Sequence, residues 1–131
     1  MFEIKVSEEQ AINEVNALLD KKRMFPKDRE RRKAAIDAVI DGVMYGLVSI
    51  ETDGSISQTL DVAVGTIDVL KWKSHIAAET MNRALSQAKA ENQVSRNMVY
   101  ITTYTDSLTA TINKMEPNDR NICDSIAFFL Q

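Results

Sequence analysis

The sequence predicts an α+β fold, mostly helical, with a small antiparallel β-hairpin or three-stranded sheet packed against several helices, and three observations carry that assignment. Apolar residues recur at helical spacing over much of the chain, as in Ile12, Val15, Leu18 and Leu19. Asp53-Gly54, a dipeptide favoured in tight hairpin turns, stands between two stretches of alternating apolar residues. Only 4 Gly and 2 Pro occur in 131 residues, too few for a loop-rich chain. That length suits one domain, residues 1–131, with a charged helical part (1–44), a hairpin region (46–73) and a helical part (74–131).

In order along the chain, FEIKV (2–6) alternates apolar and polar residues and predicts a short strand. Ser7 and Gln10 have capping-box spacing and open a helix that runs to about residue 22. Pro26, suited to a first helical position, opens a second helix over about 26–44, with Phe25 as a hydrophobic staple at the corner. Its first turns are nearly all charged, and Ile36, Val39, Ile40 and Val43 give its later half an apolar face. Strands follow at roughly 46–52 and 55–64, joined by a two-residue type I′ turn at Asp53-Gly54. TIDVLKWK is a candidate third strand with Ile67 and Val69 on one face, although Leu70 and Trp72 break that alternation.

From Ser74 to about residue 91, Ala77, Ala78, Met81, Ala84, Leu85 and Ala88 mark one helical face, whose small residues suit close packing on another helix. Residues 94–105 support two readings. Val94, Met98, Ile101 and Tyr104 have helical spacing, whereas VYITTYT is rich in β-branched and aromatic residues that favour strands. A short amphipathic segment, SLTATINKM, precedes a last helix opened by Asn118 or Asp119 and carrying Ile122, Ile126, Phe129 and Leu130.

Charge is unevenly spread. KKRMFPKDRERRK (21–33) holds eight Lys/Arg against Asp28 and Glu30, a local +6 in a chain of net −3, so the remainder carries −9. The two helices divide this stretch. Lys21, Lys22 and Arg23 fall at a helix end, where cations complement the dipole, while Arg29, Arg32 and Lys33 fall on one side of the next helix. Asp28 and Glu30 interrupt the patch and the acidic remainder repels phosphate, which weighs against nucleic acid and favours a solvated helix start or a surface that docks another protein. The chain's other distinctive feature is AFFLQ, in which Phe128 and Phe129 cannot share one helical face; both pack on the core, or one is offered to a partner.

No residues assemble into recognisable chemistry, and the sequence predicts a protein that is not an enzyme. His75 is the single histidine and Cys123 the single cysteine, with no nucleophile-elbow pattern around either. His75 reads as a capping or surface residue, and Cys123, beside Ile122, as a small core hydrophobe. No catalytic, cofactor-binding or metal-binding residue is assigned. Asp37 and Asp41 lack further ligands and read as partners of upstream cations, Lys33 reaching Asp37 across one turn; Asp106 and Asp119 read as caps. The four glycines stand apart, so no phosphate-binding glycine loop exists. The longest apolar runs fall well short of the roughly 20 residues of a membrane span. A lone cysteine and the lack of a leader-like opening predict a reducing, cytoplasmic location and no membrane partner.

The order of features, a DG hairpin, LKWK, a set of helices and then NKMEPNDRNICDSIAFFL, resembles the small tail assembly chaperones of tailed bacteriophages and prophages over about residues 46–131. Met115, Asp119, Ile122, Ile126 and Phe128-Phe129 stand where that family carries its terminal pattern; residues 1–45 have no counterpart. The resemblance implies a non-enzymatic protein of the infected bacterial cytoplasm that binds the tape measure protein, helps recruit tail tube subunits and self-associates. Partner contacts are then expected at Phe128, Phe129 and Leu130 and at Arg29, Arg32 and Lys33. A structural virion component (neck, tail-terminator or decoration protein) is the alternative, and a small nucleic-acid-binding protein ranks below it.

Overall fold

A computed structural model describes residues 3–131. The strand expected over 2–6 begins outside the described residues, and residues 3–6 form none; Lys5 and Val6 instead donate their N–H groups to the Met44 carbonyl at 2.7 and 3.1 Å. Helix α1 spans Glu8–Lys21. Ser7 Oγ accepts from the Gln10 N–H at 3.2 Å, Glu8 and Glu9 complement the positive end of the helix dipole, and the inner face buries Ala11, Val15, Leu18 and Leu19. The helix stops at a left-handed Arg23 (φ 55°), where Arg23 N donates to Asp20 O and Met24 N to Leu19 O. This paired pattern normally places glycine at the reversed residue.

The helix expected over 26–44 is kinked into α2 (Pro26–Arg31) and α3 (Lys33–Met44) at Arg32, whose φ is −100° and ψ 17°. Pro26 takes the first position as expected, but Phe25 is 71% exposed and staples nothing. The kink turns the Arg32 guanidinium inward, so that Nη2 donates to the Gln131 backbone oxygen. Helix α3 buries Ala35, Ile36, Val39 and Val43.

Strands β1 (Val48–Ile50), β2 (Ile56–Val64) and β3 (Ile67–Trp72) form one antiparallel sheet in the order β1-β2-β3. The turn between β1 and β2 is a residue longer than the expected type I′. Gly54 N donates to Glu51 O and Glu51 N to Ser55 O, and only Gly54, at φ 89°, is left-handed, so Thr52, Asp53 and Gly54 form a three-residue loop. The third strand is present, and the face it turns to the core is that of Leu70 and Trp72, both buried, while Val69 is exposed. The cause is register, since Trp72 pairs with Ile56 and Leu70 with Gln58, both inward positions of β2. Between Thr59 and Val64 the register shifts by a bulge.

Helices α4 (Ala78–Gln87), α5 (Gln93–Thr105), α6 (Thr109–Asn113) and α7 (Pro117–Leu130) complete the chain. Residues 94–105 are helical. Asn92 and Ser95 close a capping box, and the Thr102 and Thr105 hydroxyls bond to the carbonyls of Met98 and Ile101, which accommodates threonine within a helix. Glu116, not Asn118 or Asp119, caps α7: its carboxylate accepts from both of their N–H groups, at 2.8 and 3.3 Å. Helix α7 packs on α3, α5 and β2, and its Ile126 and Phe129 meet Trp72, Ile101 and Ile112 in a core of fully buried side chains. Of the small face foreseen on α4, Met81 is buried, while Ala77, Ala78 and Ala88 stay exposed.

Gly42 in α3 is where β1 approaches closest: a Cβ there would lie 2.6 Å from Val48 Cγ2. Alanine would gain roughly 0.5–1 kcal/mol of helix propensity but overpack this contact at a cost of about 1–3 kcal/mol. Gly42→Ala is therefore expected to lower the urea midpoint; an unchanged or raised midpoint would show that β1 yields freely.

Candidate functional site

Two of the three buried polar or charged residues among those described, Gln58 and Asp119, lie where β2 meets α7; the third is Arg32 at the kink between α2 and α3. Asp119 is 2% exposed, and its Oδ1 and Oδ2 accept from the backbone N–H groups of Asp61 and Val62 at 3.0 and 3.1 Å. These two residues lie in the bulge, where the β3 ladder leaves their donors unpaired. One carboxylate thus ties the irregular part of β2 to the first turn of α7, whose dipole favours a negative charge at that end. Gln58, fully buried, donates from Nε2 to the Asp119 backbone oxygen at 3.0 Å and accepts the Cys123 thiol proton at 3.1 Å. Both ends of its amide are satisfied, as burial requires. Burial pushes the Cys123 thiol up to about 12, the Gln58 contact offsetting part of that shift. These hydrogen bonds join β2 to α7 and engage the Asp119 carboxylate, the Gln58 amide and the Cys123 thiol within the fold.

The structure disperses the residues expected to dock a partner. Phe129 is fully buried and offers no surface; Phe128 and Leu130 are half-buried against the core. Arg32 is only 6% exposed, its Nη1 lying 3.8 Å from Asp28. Arg29 Nη2 meets Asp20 at 2.6 Å and its Nε donates to the Met24 carbonyl at 2.7 Å. Lys33 is exposed and pairs with Asp37 at 3.1 Å, the one-turn contact read from the sequence. Arg32 and Phe129 are therefore parts of the fold and not of its surface, because the kink at Arg32 and the inward face of α7 enclose them. His75 is exposed in the loop between β3 and α4. Among the described residues no cluster of three or more His, Cys, Asp or Glu is placed to hold a metal ion, and no helix is long and apolar enough to cross a membrane.

One surface is better suited to a partner than any that the sequence suggested. A groove of about 500 Å³ runs between α4 and α5, with Ala84 and Ala88 on one wall and Met98, Val99, Thr102 and Thr103 on the other. No charged side chain lines it, although 27% of the chain is charged. Ser95 and Thr109 also line the groove, and next to them in sequence stand Val94 and Leu108, 73% and 74% exposed, the two most exposed large apolar side chains among the described residues. The alanine face of α4 was visible in the sequence, but it became a groove wall only because α5 proved to be a helix.

No family model, characterised protein or solved structure matches the chain. Gln58 and the left-handed Arg23 escaped the sequence reading. A glutamine midway between inward Ile56 and Leu60 was the one available sign that a polar group would be enclosed.

Asp119→Asn is expected to destabilise by about 2 kcal/mol in urea denaturation, since the amide sets a donor against one of two backbone donors. A change below about 0.5 kcal/mol would show that water serves these groups as well. Cys123 is expected to resist thiol reagents in the native state. Its folded pKa lies above the value of about 8.5 for an exposed thiol, so the unfolded chain releases its proton first and stability falls as pH rises from there towards about 12. Tyr104, also raised by burial, acts in the same direction. Cys123→Ser keeps a hydrogen-bond donor while removing the thiol's titration, and should make this alkaline decline shallower in denaturation measured across pH.

Proposed function

We propose that the protein is a non-enzymatic assembly factor of the tail assembly chaperone type, which binds an amphipathic helix of a partner protein in the groove between α4 and α5. The observation that carries this reading is the uncharged groove flanked by the exposed Val94 and Leu108. Helix α5, at 13 residues, is roughly 20 Å long, enough for an incoming helix to lay down about four turns. Alanines on the opposite wall allow a close approach of backbones, and an uncharged lining that mixes Ala84, Ala88, Met98 and Val99 with Gln87 and threonines suits the apolar-to-polar edge of an amphipathic helix and disfavours a charged face. A tape measure protein is the partner that the family resemblance implies; recruitment of tail tube subunits and self-association belong to the same proposal, as does a location in the infected bacterial cytoplasm.

The test is a titration of the labelled protein with purified helical segments of a tailed-phage tape measure protein. Amide shifts are expected at Ala84, Met98 and Thr102, and Ala88→Glu, at an exposed position, is expected to weaken binding by about tenfold without lowering stability. Shifts elsewhere, or none, would overturn the reading. Mass spectrometry of purified particles supplies the other arm: abundant copies in the finished virion would replace the chaperone by a structural virion component.

A further inference from the structure

A cavity of about 540 Å³ opens where the end of α1 meets the β1–β2 turn and the loop between β3 and α4. Lys21, Lys22 and Arg23 line it together with His75. In a continuing helix these three consecutive cations would fan out at about 100° per residue. The left-handed turn at Arg23 stops that rotation and returns the third cation to the cavity holding the first two.

The basic stretch divides into two unlike halves. Arg29 pairs with Asp20, Arg31 and Arg32 share Asp28, and Lys33 pairs with Asp37, so four of the five downstream cations have a carboxylate partner within the fold, Lys27 being the exception among the described residues. Among the described residues, Lys21, Lys22 and Arg23 form no ion pair. Lys21 and Lys22 are held by backbone carbonyls only, of Thr52 at 3.2 Å and Ser74 at 3.0 Å, which position the ammonium groups without cancelling their charge. Lys22 is half-buried, and desolvation followed by the adjacent Lys21 lowers its pKa, a penalty that a bound anion would relieve. Asp53 is the one carboxylate in the lining; its Oδ1 accepts from the Ser55 N–H and hydroxyl at 2.8 and 2.6 Å, and these bonds first, then the field of Lys21, hold it charged, so it offsets one of the three cations and leaves the lining net positive. Leu18 and Leu130 supply an apolar wall.

We propose that this cavity binds the phosphate group of a small phosphorylated molecule, with Lys21, Lys22 and Arg23 facing the phosphate and Leu18 and Leu130 the organic body. Its volume falls within the range of small-molecule pockets, about 300–1,000 Å³. The −9 carried outside residues 21–33 disfavours a long polyanion that would have to track beyond the cavity. The site uses none of the groove between α4 and α5, so the two stand or fall separately.

The test is an NMR titration of the full chain at low salt with inorganic phosphate, AMP and a single-stranded oligonucleotide. Saturable shifts are expected at the amides of Leu18, Ser74, His75 and Leu130, with AMP tighter than phosphate. Arg23→Gly removes the cation while placing at the left-handed turn the residue that adopts it most readily, so the fold is kept and AMP affinity is expected to fall about tenfold. Lys33→Ala removes a cation that is already paired and should change affinity by less than about twofold. Absence of saturable shifts, an Arg23→Gly affinity equal to that of the parent, or an equal loss in Lys33→Ala would each overturn the site. Tighter binding of the oligonucleotide than of AMP would overturn the small-molecule assignment.

Discussion

A single buried carboxylate governs how this chain closes. Strand β2 leaves its ladder between Thr59 and Val64, and the freed donors of Asp61 and Val62 need an acceptor in a partly enclosed place. Asp119 supplies both of its oxygens, which fixes the first turn of α7 against the sheet. Once that turn is placed, Ile126 and Phe129 fall into the core beside Trp72, and the backbone oxygen of Gln131 comes within reach of Arg32. The kink between α2 and α3 turns Arg32 towards that oxygen, so the hydrogen bond joins the kink to the end of α7. A hydrophobic core of this size tolerates many packings; the two directed hydrogen bonds to a charged group are what single out one.

The same geometry decides which surfaces are available for function. Enclosing Phe129 and Arg32 withdraws the two features that look most like docking elements along the chain. Two of the exposed large apolar side chains, Val94 and Leu108, stand instead just inside the start of α5 and just beyond its end, beside the groove between α4 and α5. The basic stretch serves two ends: its downstream half completes local ion pairs, and its upstream half rims a cavity. The charge asymmetry of the chain is therefore not one patch, because the left-handed turn at Arg23 and the kink at Arg32 point its two halves in different directions.

Much of the fold was legible because it rests on short-range patterns. Apolar spacing and a capping serine located α1, the proline located the start of α2, and alternation around Asp53-Gly54 located β1 and β2. Residues 94–105 were ambiguous because their β-branched side chains favour a strand while their spacing favours a helix, and it took the Asn92–Ser95 capping box and the back-bonded threonines to resolve them. The covered face of β3 was left open because a strand's alternation identifies two faces but not which one is covered, and only pairing with Ile56 and Gln58 decides that.

By itself, the sequence determined the class and the places of most elements, because composition and periodicity act over distances of a few residues. The tertiary structure alone decided that Asp119 faces the bulge, that Gln58 and Cys123 are enclosed together, and that Lys21, Lys22 and Arg23 share a cavity with a histidine some 50 residues further on. Those arrangements join positions far apart in the chain. What brings them together is the packing of the whole molecule, in which the buried groups of Asp119, Gln58 and Cys123 find partners while Arg32 Nε and Trp72 Nε1 do not.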